Sequence, residues 1–153
     1  VYFIILMFIG GCAGSTTCGI KIFRVQILYQ FISNQLKKII YPRGIFKIKY
    51  QNNNVDEKFM DSIISFIFLY ILIFFVVTAL LSLDGLNFIT AISAAATSIS
   101  NVGPGLGDII GPNGSFSSLS DFSKWVLSAA MILGRLELFA ILVLFIPSFW
   151  RKY

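Results

Sequence analysis

The sequence predicts an all-α membrane protein in which a long helix, a re-entrant helix and a second long helix form one unit. Three observations lead there. The chain of 153 residues is 57% hydrophobic and 12% charged, about half the charged share of roughly 25% found in soluble domains. Ser62 to Leu83 is 22 residues without a charge, enough to cross a ~30 Å hydrocarbon core with modest tilt. Phe88 to Ile99 is apolar, Ala-rich and too short to cross, and Ser100-Asn101-Val102-Gly103-Pro104-Gly105 then forbids a continuing helix. Non-helical backbone is stable at membrane depth only where protein buries it or where it lines a water-filled cavity. Alone, the stretch would read as a soluble helix and a Gly-Pro turn. The uncharged spans on either side decide for a helix that enters, stops half-way and continues as a short strand.

Charge and cysteine usage narrow the function classes. The net charge is +5 and the pI about 9.4, yet eight of the twelve basic residues fall between Lys21 and Lys58, beside a span. The positive-inside rule accounts for that cluster better than nucleic-acid binding does. With no His in the chain, zinc sites and Cys-His catalysis lack their usual partners, and Cys12 and Cys18 sit in a glycine-rich apolar stretch. Val1 opens inside an apolar run with no initiator Met, so the expectation is a C-terminal fragment of a longer protein.

Val1 to Ile9 reads as the tail of a spanning helix. Gly10 to Gly19 (GGCAGSTTCG) follows, and four glycines, each costing up to ~1 kcal/mol of helicity, predict an interrupted helix. Gly10 and Gly14 also make a small-xxx-small pair, so close helix packing is the competing reading. A phosphate loop fails: in Gly14 to Lys21 the Lys falls one residue late and no Ser or Thr follows it. A broken helix lining a permeation path, with Ser15, Thr16 and Thr17 satisfying freed backbone groups, fits best. Ile20 to Leu36 resumes helical spacing, with Ile20, Phe23, Ile27 and Phe31 on one side. Tyr41 to Gly44 is a turn. Phe46 to Tyr50 alternates at period two, which predicts a short strand, its Lys47 and Lys49 solvated or at lipid headgroups. Asn54 is the expected cap of the next helix, with Asp56 and Glu57 in its first turn.

The span 62–83 runs outward from the basic side, Asp84-Gly85 turns the chain, and the stretch 105–121 stays outside with a turn at Gly111-Pro112-Asn113-Gly114. Asp84, Asp108 and Asp121 give that side an acidic bias, which either raises local cation concentration or simply keeps the surface solvated. The last span, 122–150, is capped by Asp121 and ended by Pro147, Arg151 and Lys152. Arg135 lies ten residues past Trp125, roughly 15 Å down the axis. A cation near mid-membrane costs at least ~2.5 kcal/mol, so its role is functional or that of a structural ion pair. Glu137, two residues on, cannot face it on the same helix.

Taken together, GGCAGSTTCGIK, TSISNVGPGLG and ILGRLELF resemble the membrane subunit of Trk/Ktr-type potassium uptake systems, in the TrkH-like branch. The resemblance covers nearly the whole chain. In that family four helix–pore-helix–helix repeats surround a central pore, which implies a potassium-channel-like transporter. Residues 1–40 would be the second helix of repeat three, broken at 10–19, with 41–58 a cytoplasmic connector. Residues 59–153 would be repeat four: span 62–83, pore helix 88–99, filter 100–104, outer loop 105–121 and span 122–150. The resemblance further implies that Asn101, Val102 and Gly103 line the potassium filter. It makes Gly10, Gly11, Gly14, Ser15, Thr16 and Gly19 part of a gating loop and sets Arg135 against that loop. It implies potassium as the transported ion, no other cofactor, a homodimer in membrane lipid and a cytoplasmic nucleotide-binding regulatory subunit of the TrkA type. The bacterial inner membrane is the expected location, with the C-terminus cytoplasmic.

The filter backbone is expected to run extended from Ser100 to Gly103, with Gly103 in a conformation that other residues resist and Pro104 favouring extended geometry before it. A membrane-embedded enzyme finds little support, having no His and no metal-ligand spacing. A non-transporting anchor or assembly subunit has no use for Gly-Pro-Gly backbone between two spans.

Overall fold

The computed structural model describes residues 2–8, 10–11, 19–42, 44, 49–50, 53–54, 56–107 and 109–135. Among them are five α-helices: α1 (Tyr2–Phe8), α2 (Ile22–Ile40), α3 (Glu57–Leu83), α4 (Phe88–Ser100) and α5 (Asp121–Arg135). Two two-residue strands, β1 (Lys49–Tyr50) and β2 (Asn53–Asn54), pair antiparallel as Lys49↔Asn54 and Tyr50↔Asn53. They make a small hairpin in the connector rather than a sheet layer, so the protein is all-α in class. The expected strand at 46–50 is met only at its last two residues; 46–48 lie outside the described residues.

At 27 residues, α3 is about 40 Å long, and it is the one helix among the described residues long and apolar enough to cross a membrane. Its face Met60, Ile63, Phe66, Tyr70, Val77 and Leu81 is buried, at spacings of three, four and seven that keep one side of a helix inward. Yet Phe68 (68%) and Phe75 (64%) stand exposed on its other side. Such apolar faces are stable against lipid or further protein, not against water. On α2, Ile27 is buried with Phe23 and Phe31 beside it, packed on Met60, Ile63 and Ile67 of α3, the face that the sequence spacing picks out. The Arg24 guanidinium sits 3.8 Å over the Phe66 ring, joining the two helices by a cation–π contact.

Two caps differ from expectation. Asn54 lies in β2, and Asp56 takes the N-cap position of α3, with no bond from its side chain; its carbonyl accepts from Phe59 and Met60 N–H. At α5 the cap is Ser120, whose Oγ accepts from the Ser123 N–H at 3.1 Å, while Asp121 is the first helical residue. A serine hydroxyl three residues before the N–H it satisfies is the usual N-cap geometry. In the outer loop, the Gly114 N–H donates to Gly111 O at 2.8 Å, closing the expected turn.

Candidate functional site

The site forms where α4 stops. This helix follows α3 after a connection of four residues, 84–87, and returns alongside it, its Ala91, Ala94 and Ala95 fully buried. Small side chains let helix backbones approach closely, and α4 is packed by α1, α3 and α5. Ser100, its last residue, shares a 2.8 Å hydrogen bond with the Tyr70 hydroxyl. Tyr70 is the middle residue of α3, 13 residues from either end, so the end of α4 stands level with the midpoint of the long helix.

There the backbone turns out of helix. Asn101 is left-handed (φ 52); its N–H donates to Ser98 O and the Val102 N–H to Thr97 O, at 3.2 and 3.0 Å. This is a Schellman ending with Asn in the place usually held by Gly. The helix therefore runs one residue past the expected 99, and Ser100 and Asn101 are not extended; the non-helical strand begins at Val102. The reason is local, since the last carbonyls of α4 take their N–H partners from the chain that follows.

Beyond that point hydroxyls of α4 hold the strand. Gly103 has φ 115, in the region expected of it, and its N–H donates to Thr97 Oγ1 at 2.9 Å. Pro104 has no N–H. The Gly105 N–H donates to Ile110 O at 2.8 Å, and the Leu106 N–H to Ser93 Oγ at 3.0 Å. Every N–H from Asn101 to Leu106 is thus turned into the protein. Among the described residues, no hydrogen bond reaches the carbonyls of residues 101–105, and residues 101–104 are exposed. Along this strand the donors are engaged by the protein, and the carbonyls of 101–105 accept no hydrogen bond from the described residues.

Helix α5 completes the site. The Asn101 side-chain Nδ2 donates to Met131 O at 3.1 Å. A Cβ added to Gly134 would run into Ile99 O and stand 2.8 Å from the Ile99 carbonyl carbon, so α5 rests directly on the last turn of α4. Arg135 follows at once, one residue beyond this contact, and is exposed. At the other end, Asp84 accepts from the Ser120 hydroxyl and, at 2.6 Å, from the Ser123 hydroxyl. Asp84 is thus a staple between the α3–α4 turn and the start of α5, where the sequence suggested only surface charge. Exposed Asp121 pairs with half-buried Lys124 at 3.3 Å, a contact of little energetic weight; Asp108 lies outside the described residues.

The hydrogen bonds from Ser120 and Ser123 hold the Asp84 carboxyl below its usual value, against a small opposing effect of burial. A carboxylate whose folded pKa is depressed contributes stability above its unfolded pKa, lost as pH falls through the folded one. Thermal unfolding followed against pH should therefore show a contribution that survives mild acid and disappears only below the ordinary carboxylate range. An Asp84→Asn variant should lack that acid-sensitive contribution; identical pH profiles would refute the staple.

The sequence-predicted gate is described in part. Gly14, Ser15 and Thr16 lie outside the described residues. Gly10, Gly11 and Gly19 are outside any helix, and the backbone about them is paired across the intervening residues, which lie outside those described. The Gly10 N–H donates to Ile20 O, the Ile20 N–H to Phe8 O and the Ile22 N–H to Gly11 O, at 2.9, 3.2 and 3.3 Å. Phe8 packs edge-on against Tyr70 and Phe74, ring centroids 6.0 and 5.1 Å away. Tyr70 therefore touches both the residue that leads into this paired backbone and, through Ser100, the end of α4. Reading the sequence missed Tyr70, Ser93, Thr97 and Gly134. The hydroxyl spacing Ser93, Thr97 and Ser100 along α4 was the signal available.

A long apolar helix, a half-length helix packed back along it and a third helix resting on the end of the second accord with an all-helical membrane protein. The chain belongs to the TrkH family, described as cation transport protein, which it matches over residues 1–152; this places it among transport proteins rather than enzymes. It is 44% identical over 152 residues to the Trk system potassium uptake protein TrkI of Halomonas elongata, covering 99% of this chain and 31% of that protein. The Trk system potassium uptake protein TrkH of Escherichia coli is 37% identical over 145 residues, 95% of this chain and 29% of that one. The crystal structure of the potassium transporter TrkH from Vibrio parahaemolyticus is similar with a TM-score of 0.87 and 35% identity, covering 97% of this chain and 31% of that chain. The chain thus spans about three-tenths of the length of these relatives.

Proposed function

We propose that the protein carries potassium ions into a bacterial cell through a pore in the cytoplasmic membrane, with Asn101, Val102 and Gly103 as one strand of its ion filter. The observation that carries this reading is that the donors of residues 101–106 are engaged while the carbonyls of 101–105 accept no bond from the described residues. A dehydrated cation needs oxygens to replace its water shell. Backbone whose N–H groups are all engaged elsewhere offers carbonyls without offering donors that would repel the ion. The level of Ser100 against Tyr70 supports α4 as a re-entrant helix, because it brings the strand to mid-depth of the one span-length helix described. The relatives named for potassium uptake supply the ion.

In this reading the loop whose neck is Gly10, Gly11 and Gly19, with Gly14, Ser15 and Thr16 within it, gates the pore beneath the filter. Arg135, at filter depth, acts as an electrostatic barrier to cations and anchors that loop. The basic stretch from Lys21 to Lys58 sets the cytoplasmic side, which places the C-terminus there too. A homodimer and a cytoplasmic nucleotide-binding regulatory subunit complete the assembly. A non-transporting anchor is not favoured, since it has no use for a strand with all its donors turned inward.

Crystals of the full-length protein soaked in thallium(I), a heavy potassium mimic, test the reading by anomalous scattering. A peak in contact with carbonyls of residues 101–103 is expected. Thallium bound elsewhere in the pore, with none at these oxygens, would overturn the assignment.

A further inference from the structure

We infer that Asn101 is a positioning residue that ties the filter strand to the part of α5 bearing Arg135, so that the ion preference of the filter depends on where α5 stands. The inference rests on the filter reading above and adds to it a route by which α5 acts on selectivity. Asn101 is the one non-glycine residue with positive φ among the described residues. The Schellman ending needs only a left-handed residue there, and glycine would take that conformation with less strain. What asparagine adds is its amide, and that amide reaches across to Met131 O, 30 residues away in sequence. In an α-helix the carbonyl at 131 is also the acceptor for the N–H at 135. The side chain of the first filter residue and the backbone of Arg135 therefore converge on one oxygen.

The contact is tight as well as polar. A Cβ on Gly134 would lie 3.1 Å from Asn101 Nδ2 in addition to striking Ile99 O. A turn or slide of α5 at this level must carry the Asn101 side chain with it or break its bond. Since Asn101 precedes Val102 directly, either outcome re-aims the next carbonyls. The hydroxyls of Thr97 and Ser93 hold the strand from Gly103 onward; before it the backbone bonds of the Schellman ending hold Asn101 and Val102 to α4, and the tether adds a side-chain hold to α5.

The test is the ratio of rubidium to sodium uptake by the full-length protein in liposomes, each variant normalised to its own total flux. Asn101→Gly keeps the left-handed ending and deletes the amide. Asn101→Asp keeps the shape and replaces the donor with an acceptor facing Met131 O. In both, the ratio should fall by about five-fold, the scale of one lost hydrogen bond. A residue needed only for folding would change the yield and the total flux but leave the ratio alone. Gly103→Ser is measured in parallel. If it changes the ratio while both Asn101 variants stay within about two-fold of the parent, the tether is refuted and the filter stands. If Gly103→Ser also leaves the ratio unchanged, the filter reading falls and takes this inference with it.

Discussion

Gly134→Ala is expected to abolish uptake and to leave a protein that unfolds several degrees lower in detergent. The added methyl would meet the backbone of Ile99, not a side chain that could choose another rotamer. Relief therefore requires α5 to withdraw from α4 along the contact. Overpacking of this kind typically costs ~1–3 kcal/mol, and here the displacement also parts Asn101 from Met131. Thermal unfolding of the purified variant together with rubidium uptake reads both effects. Parental stability and parental flux together would mean that α5 does not rest on α4 as described.

Gly103→Ser should have the opposite profile: a folded protein with damaged selectivity. Nothing lies within 4 Å of a Cβ at this position, so no clash is introduced. The cost is conformational, because φ 115 is a backbone setting that L side chains rarely adopt. A serine drives the residue toward negative φ. The Gly103 N–H then leaves Thr97 Oγ1, and the flanking peptide planes rotate. In the proposed filter, the carbonyls on either side of residue 103 are thereby re-aimed. Since the discrimination between two alkali cations depends on the number and placement of such oxygens, preference should suffer before stability does.

The architecture was legible because membrane helices announce themselves by length and lack of charge. The span at 62–83, the half-length helix after Asn87 and the break before Gly103 all follow from composition and backbone chemistry. The buried side of α2 follows from the spacing of Phe23, Ile27 and Phe31. What escaped notice was tertiary in origin. Gly134 reads as one more glycine in a helix until the carbonyl of Ile99 is found against it. Thr97 and Ser93 read as ordinary polar residues of a short helix, since no local rule says that their hydroxyls will meet the N–H groups of Gly103 and Leu106. The caps misled for a related reason. Asn54 and Asp121 are good capping residues by type, but hairpin pairing claimed one, and Ser120 stood one residue earlier than the other. Tyr70 at the centre of an apolar span was the remaining hint, because a hydroxyl there calls for a partner.

In the filter proposed above, the carbonyls after α4 face the permeating ion while their neighbouring N–H groups are engaged by the protein, and Gly103 is the residue on which that proposal turns. Competing uptake of rubidium and sodium into liposomes containing the full-length Gly103→Ser protein reads this directly. A fall in rubidium preference of about ten-fold or more, the scale of ~1.4 kcal/mol, is predicted, with thermal stability close to that of the parent. An unchanged preference in a folded, conducting protein would contradict it.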